Sequence, residues 1–203
     1  MAFSIYQLKP RFQQLLRPLI DGLARRHITP NQITVLAMFL SIGYGAALAI
    51  NPLCQALWFG LPLFLLLRMA LNAIDGMLAT ATGLKTRLGA LLNEMGDVVS
   101  DIALTLPFVL VMPVRLVIAV VIAGLLAEFA GVLAISIGAP RRFDGPMGKS
   151  DRAFALGVLA LMLATGVASE WRNYVLGTMF VLSLWTVFNR LRQALLFSAP
   201  PTR

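Results

Sequence analysis

The chain has 203 residues, 59% of them hydrophobic, with a mean hydropathy of +0.82 and a formal net charge of +8. Soluble domains are only about 45–50% apolar, so this composition excludes an ordinary soluble enzyme and indicates an integral membrane protein. The positive charge suits an anionic membrane surface and acidic substrates, and gives no reason to expect a nucleic-acid partner.

The N-terminal segment comes first. Ile5, Leu8, Phe12, Leu15, Leu19 and Leu23 recur at three- and four-residue spacing, with Lys and Arg between them. That is the pattern of an amphipathic helix. The segment is too polar to span, and too basic and interrupted to be a cleavable signal. Residues 1–27 are therefore expected to form an interfacial helix, kinked at Pro10 or Pro18. Two roles stay open, a plain anchor or a lid over a cytoplasm-facing site. His27, where the helix ends, reads as a surface imidazole.

Residues 28–203 read as a six-helix transmembrane bundle, so the whole chain is one all-α membrane domain. No Asp, Glu, Lys or Arg occurs between Arg26 and Arg68. That run accommodates two spans of about 20 residues each, divided at Asn51-Pro52 because proline cannot continue a helix ladder. Spans are predicted near 31–51, 56–80, 87–112, 114–138, 152–168 and 173–196. Of the 17 basic residues, all but Arg68, Arg115 and Arg172 fall at the two termini or between spans two and three and spans four and five. The positive-inside rule makes that face cytoplasmic. The expected location is the inner (cytoplasmic) membrane, multi-pass, with both termini in the cytoplasm. The single Cys54 cannot form an intramolecular disulfide and reads as a small apolar filler.

Spans two and three carry a cluster of polar groups. Each ionised side chain in hydrocarbon costs roughly 2.5–3.5 kcal/mol on insertion scales, so such a cluster needs a reason. Asn72, Asp75, Gly76 and Ala79 share one helix face, and Asn93, Asp97 and Asp101 share another. A turn centred on Gly83 and Leu84 brings Asp75 level with Asn93, Asn72 with Asp97, and Arg68 with Asp101. Carboxylate and amide oxygens on facing helices are hard ligands that suit Mg²⁺ or Mn²⁺. A hard cation near a cytoplasmic mouth suits transfer of a phosphate-linked group. The plain alternative is helix packing through small residues, with polar pairs as glue.

The stretch from Asn72 to Asp97 resembles the signature of the CDP-alcohol phosphatidyltransferases. That pattern is Asp, two residues, Asp-Gly, two residues, Ala-Arg, eight residues, Gly, three residues, Asp, three residues, Asp. Every spacing is kept here, with matches at Asp75, Gly76, Ala79, Gly89 and Asp97 and departures at Asn72, Thr80 and Asn93. Thr29-Pro30-Asn31, with Thr34 beyond, is similar to the family's opening of span one.

The resemblance implies that an alcohol hydroxyl attacks the lipid-bearing phosphorus of a CDP-alcohol such as CDP-diacylglycerol, and that CMP leaves. It implies Asp97 as general base and Asp75, Asn72, Asn93 and Asp97 around one or two divalent ions. It further implies Gly76, Ala79, Asn31 and Thr34 at the nucleotide, and a homodimer among membrane lipids. Asn72 and Asn93 can coordinate through their carbonyl oxygens but bring no charge, so metal affinity should fall. Thr80 supplies no cation to the diphosphate, a part that Lys85 or Arg87 can take. Arg68 is expected to pair with Asp101, or to reach Asp97 when no metal is present. Glu94 is expected to face a neighbouring helix.

The basic loop between spans four and five holds Gly148-Lys149-Ser150-Asp151-Arg152. It lacks the upstream glycine spacing and strand of a nucleotide-triphosphate loop. Ser150 is expected to cap a helix with Asp151 in its first turn. In the resembling family basic residues in this region line the acceptor pocket, so Lys149 and Arg152 are candidates for acceptor or phosphate contact. Glu128 in span four is a buried carboxylate, expected to meet Arg68 or a dimer neighbour. Two competing functions stand beside transfer: a catalytically silent lipid-nucleotide binder, and a small transporter. Repeated halves or broken midplane helices would favour the transporter, and neither is found.

Overall fold

Thr29, Pro30 and Gln32 start the first long apolar helix. In the computed structural model, which describes residues 8–197, the N–H of Thr29 donates to Gln32 Oε1 at 2.8 Å. The N–H of Gln32 donates to Thr29 Oγ1 at 3.3 Å. This reciprocal pair is a capping box, and Pro30 takes the first helical position, where no N–H is required.

The helices are α1 (Leu8–Arg25), α2 (Pro30–Ile50), α3 (Gln55–Ala81), α4 (Arg87–Thr105), α5 (Val114–Leu133), α6 (Lys149–Ala164) and α7 (Ser169–Leu195). Among the described residues there is no strand. Short 3-10 turns at Leu106–Leu110 and Ala134–Ile137 extend α4 and α5. The third expected span thus leaves α-geometry at Thr105, since Pro107 has no N–H to continue the ladder.

Among the described residues, four helices are long and apolar enough to cross a membrane: α2, α3, α5 with its 3-10 extension, and α7. By length and composition alone, the six expected spans are not all distinguished. The reasons are local. α4 carries Asn93, Glu94, Asp97 and Asp101, and α6 is only 16 residues long with a charged first turn.

The helix ends follow from sequence. α1 closes in a Schellman motif: Ile28 N–H donates to Leu23 O and His27 N–H to Ala24 O, with His27 left-handed at φ 56°. His27 is exposed, as expected. α1 is continuous through Pro18. Of its expected apolar stripe, Ile5 lies outside the described residues, as do the side chains of Leu8, Phe12 and Leu15. Thr86 caps α4, accepting from the N–H of Gly89 at 2.9 Å. The cap of α6 is Gly148, not Ser150: the helix begins at Lys149, so Asp151 is its third residue and accepts from the N–H of Gly148 at 3.0 Å.

The chain divides into two compact units. The first runs through Gly43 and includes Leu66–Ser100; its core joins Ile20 of α1, Ile33 of α2, and Ile74 and Leu78 of α3. The second comprises Tyr44–Leu65 and the chain from Asp101 onward. In it α5 packs on α7, and the buried residues of α5 include the small ones Ala123, Gly124, Ala127, Ala130 and Gly131, which let neighbouring backbones approach closely.

Candidate active site

Asp75 is placed by α3 with its neighbours Ile74 and Leu78 in the apolar core of the first unit, and its side chain is itself buried. A buried carboxylate needs donors. Thr34 of α2 supplies one, its hydroxyl donating to Asp75 Oδ2 at 2.7 Å. On the next turn of α3, Asn72 Nδ2 donates to Asp97 Oδ1 of α4 at 3.2 Å. Arg68, one turn earlier again, donates through Nη2 to the backbone oxygen of Asp97 at 3.0 Å and lies 3.8 Å from Asp97 Oδ1. Of the two partners expected for Arg68, Asp97 is thus one that it reaches.

The first unit therefore brings Asn72 and Asp97 together, and Thr34 with Asp75. Asn93 is half-buried one turn before Asp97. Asn31 stands close to Gly89, where an added Cβ would lie 2.7 Å from Asn31 Oδ1. The motif glycine thus gives α4 room against α2. At Gly76 an added Cβ would meet nothing within 4 Å. Thr80, where the family pattern has arginine, turns its hydroxyl back to Gly76 O of its own helix at 2.9 Å. Ala79 is half-buried, and Lys85 and Arg87 are exposed in and after the α3–α4 turn.

The donor chemistry suits a hard divalent cation of modest affinity. Among the described residues no three His, Cys, Asp or Glu side chains gather into a metal cluster. The sequence accounts for this, because two of the four motif positions are Asn. What remains is Asp75 and Asp97 with the amide oxygens of Asn72 and Asn93, an all-oxygen set. The Asn72–Asp97 bond as oriented offers the amide nitrogen, so ligation by Asn72 requires its amide to turn.

The second unit contains a charged cluster that sequence reasoning only partly anticipated. Arg152 Nη2 donates to Asp101 Oδ2 at 2.7 Å and to Glu128 Oε1 at 2.8 Å, and its Nη1 donates to Met147 O at 3.3 Å. Glu128 Oε2 accepts from Arg141 Nη2 at 3.3 Å and lies 3.6 Å from Arg190 Nη1. Glu128 thus finds partners in three arginines of its own unit, Arg141, Arg152 and Arg190, rather than in Arg68. A lone carboxylate in an apolar span was itself a signal that cations must reach it. Along the sequence, Arg141 and Arg190 contribute only to the basic residues of one membrane face.

Glycines make the cluster possible. An added Cβ at Gly124 would lie 3.5 Å from Arg152 Cδ, and one at Gly131 would lie 3.2 Å from Arg190 Nη1 and 2.6 Å from the Arg142 carbonyl oxygen. These positions flank Glu128 at i−4 and i+3, on the same helix face. The loop before α6 is tied to α7, since Met147 N–H donates to Thr186 Oγ1 at 2.9 Å and Arg190 Nε to Asp144 O at 3.3 Å. Arg152, expected at a phosphate, turns these donors inward. Lys149 is half-buried in the first turn of α6.

The sequence matches the family described as CDP-alcohol phosphatidyltransferase over residues 27–188. It is 46% identical over 202 residues to the inner membrane protein YnbA of Escherichia coli, covering 97% of this chain and 98% of that protein. It is 32% identical over 90 residues to the phosphatidylinositol phosphate synthase of Mycobacteroides abscessus, or 44% of this chain and 39% of that one. Among solved structures, the Mycobacterium tuberculosis phosphatidylinositol phosphate synthase PgsA1 with CDP-DAG bound superposes with a TM-score of 0.74 at 21% identity, covering 89% of this chain and 94% of that one. The same enzyme with manganese and citrate gives 0.73, again at 21% identity, covering 88% of each. At this identity the likeness is one of fold.

Proposed function

Because this chain belongs to the CDP-alcohol phosphatidyltransferase family, we propose that it transfers a phosphatidyl, or related phosphoalcohol, group from a CDP-linked donor to a hydroxyl acceptor and releases CMP. The observation that carries this reading is the retention of Asp75 and Asp97 at the family spacing, each held by a neighbour's hydrogen bond, Thr34 for one and Asn72 for the other. The relatives support it: a PgsA1 structure holds CDP-DAG, another holds manganese.

Asp75 and Asp97, with the amide oxygens of Asn72 and Asn93, would hold Mg²⁺ or Mn²⁺. When bound, such an ion would neutralise diphosphate oxygens and orient the leaving group. Gly76, Ala79, Asn31 and Thr34 line the cytidine side, where Gly76 leaves space for a flat group. Lys85 and Arg87 offer the charge that Thr80 cannot. Asp97 takes the proton of the acceptor hydroxyl as its oxygen bonds to the lipid-bearing phosphorus. The bond from that phosphorus to the bridging oxygen breaks, and CMP leaves with the electron pair.

In this reading α4 and α6 complete six spans, with α1 in the interface, both termini in the cytoplasm, the inner membrane as location and a homodimer as the assembly. Lys149 lies on the acceptor side. The test is CMP release from CDP-diacylglycerol by the purified chain with Mg²⁺ or Mn²⁺ and a broad acceptor panel. Metal-dependent release that Asp97→Asn abolishes is expected. Its absence across the panel would favour a silent lipid-nucleotide binder, and metal-independent solute flux in proteoliposomes would favour a transporter.

A further inference from the structure

We propose that Arg68 is the built-in cation of the acidic site in the first unit: its guanidinium supplies at Asp97 the charge that a second metal ion would bring, so the site takes one divalent ion. This inference rests on the transfer reading above and concerns the charge balance of its metal centre.

The observation is where Arg68 stands and what it touches. It lies at the middle of α3, thirteen residues from Gln55 and thirteen from Ala81. That is about 20 Å from either end, beyond the reach of its side chain. Only 4% of that side chain is exposed. A guanidinium at such depth is costly unless an opposite charge meets it. Asp97 of α4 does so, with Oδ1 at 3.8 Å, while Arg68 Nη2 donates to the Asp97 backbone oxygen at 3.0 Å.

Packing alone does not account for this residue. A neutral amide could make the same bond to a backbone oxygen and join α3 to α4. What a guanidinium adds is a positive charge that it does not lose in proteins, here placed beside a carboxylate of the candidate metal site.

The motif positions are short of negative charge. Asn72, which donates to Asp97 Oδ1 at 3.2 Å, and Asn93 are both neutral. Asp75 and Asp97 bring two negative charges, and Arg68 cancels one of them. With a single divalent ion these groups carry one net positive charge toward the diphosphate of the donor. With a second ion they would carry three, in a site where burial strengthens repulsion between like charges.

The experiment titrates Mn²⁺ into the purified full chain in detergent, with no donor or acceptor present, and follows bound ion by electron paramagnetic resonance. The wild-type chain is expected to bind one ion at saturation. Arg68→Gln removes the charge and keeps a donor; it should bind Mn²⁺ at least about tenfold tighter, because a nearby like charge is gone. Arg68→Lys keeps the charge and should stay within about threefold of wild type. Two ions per wild-type chain would overturn the inference. So would unchanged or weaker binding by a folded Arg68→Gln, the result expected if Arg68 served packing alone. Should Arg68→Gln fail to fold, the wild-type stoichiometry decides.

Neither measurement needs turnover, so this inference and the transfer reading fail separately. A chain that binds two ions and releases CMP keeps transfer and loses the role of Arg68. A chain that meets the Mn²⁺ expectations but releases no CMP across the acceptor panel keeps the role of Arg68 and loses transfer. No Mn²⁺ binding by either wild type or Arg68→Gln would overturn the inference.

Discussion

The hydroxyl of Thr34 donates to Oδ2 of Asp75 over 2.7 Å, with both residues buried. α2 thereby fixes the rotamer of a carboxylate carried by α3. Thr34→Val keeps the branched shape and removes the donor. Leaving a buried acceptor without it costs about 1–3 kcal/mol. The expected result is a folded protein of lower melting temperature whose CMP release falls about tenfold, with Thr34→Ser recovering most of both. Equal activity for Thr34→Val would show that Asp75 does not depend on this bond.

Asn72 meets Asp97 through its amide nitrogen. Asn72→Asp replaces that donor with a second negative charge beside Asp97. Without metal the like charges repel, so the variant should be less stable. With metal the extra charge strengthens binding, since affinity follows ligand charge. A Mn²⁺ titration read by electron paramagnetic resonance should show about tenfold tighter binding, together with a larger metal-dependent rise in melting temperature. Unchanged Mn²⁺ affinity would place the ion away from Asn72.

Arg152 braces α6 against Glu128 of α5 and Asp101 at the end of α4. Arg152→Met leaves the buried Glu128 and the half-buried Asp101 short of a cation, a loss on the order of 3 kcal/mol. Adding Asp101→Asn to Arg152→Met should cost less than Asp101→Asn alone, because the partner is already gone. The exposed Arg87→Ala should change stability by no more than about 0.5 kcal/mol. Denaturation in detergent separates these cases.

Gly124 and Gly131 look equivalent in sequence, yet their surroundings differ. Gly131→Ala would place a Cβ 2.6 Å from a backbone carbonyl oxygen, whereas Gly124→Ala would stand at an ordinary 3.5 Å from the Arg152 side chain. Gly131→Ala should therefore destabilise by about 1–3 kcal/mol, and Gly124→Ala should be close to neutral. Melting curves of the two variants give the comparison, and equal effects would count against the close approach of the Arg142 segment to α5.

Much of this protein is local and so could be read along the chain. Apolar run lengths, Asn51-Pro52 and the Gly83 turn set α2, α3 and the start of α4 within a few residues, because spans and breaks depend on neighbours in sequence. The motif spacing put Asn72 and Asp97 at matched depth, because helix rise is constant. Partner choice was decided only by tertiary structure. Nothing along the chain says that Thr34 will meet Asp75, 41 residues away, or that Arg152 will reach Glu128, 24 residues before it. Those contacts depend on which helix faces pack, and on glycines whose missing side chains leave room for an arginine. The cap of α6 shows the same limit at short range. Ser150 is the cap expected by type, whereas the structure puts Gly148 there, with Asp151 in reach of its N–H.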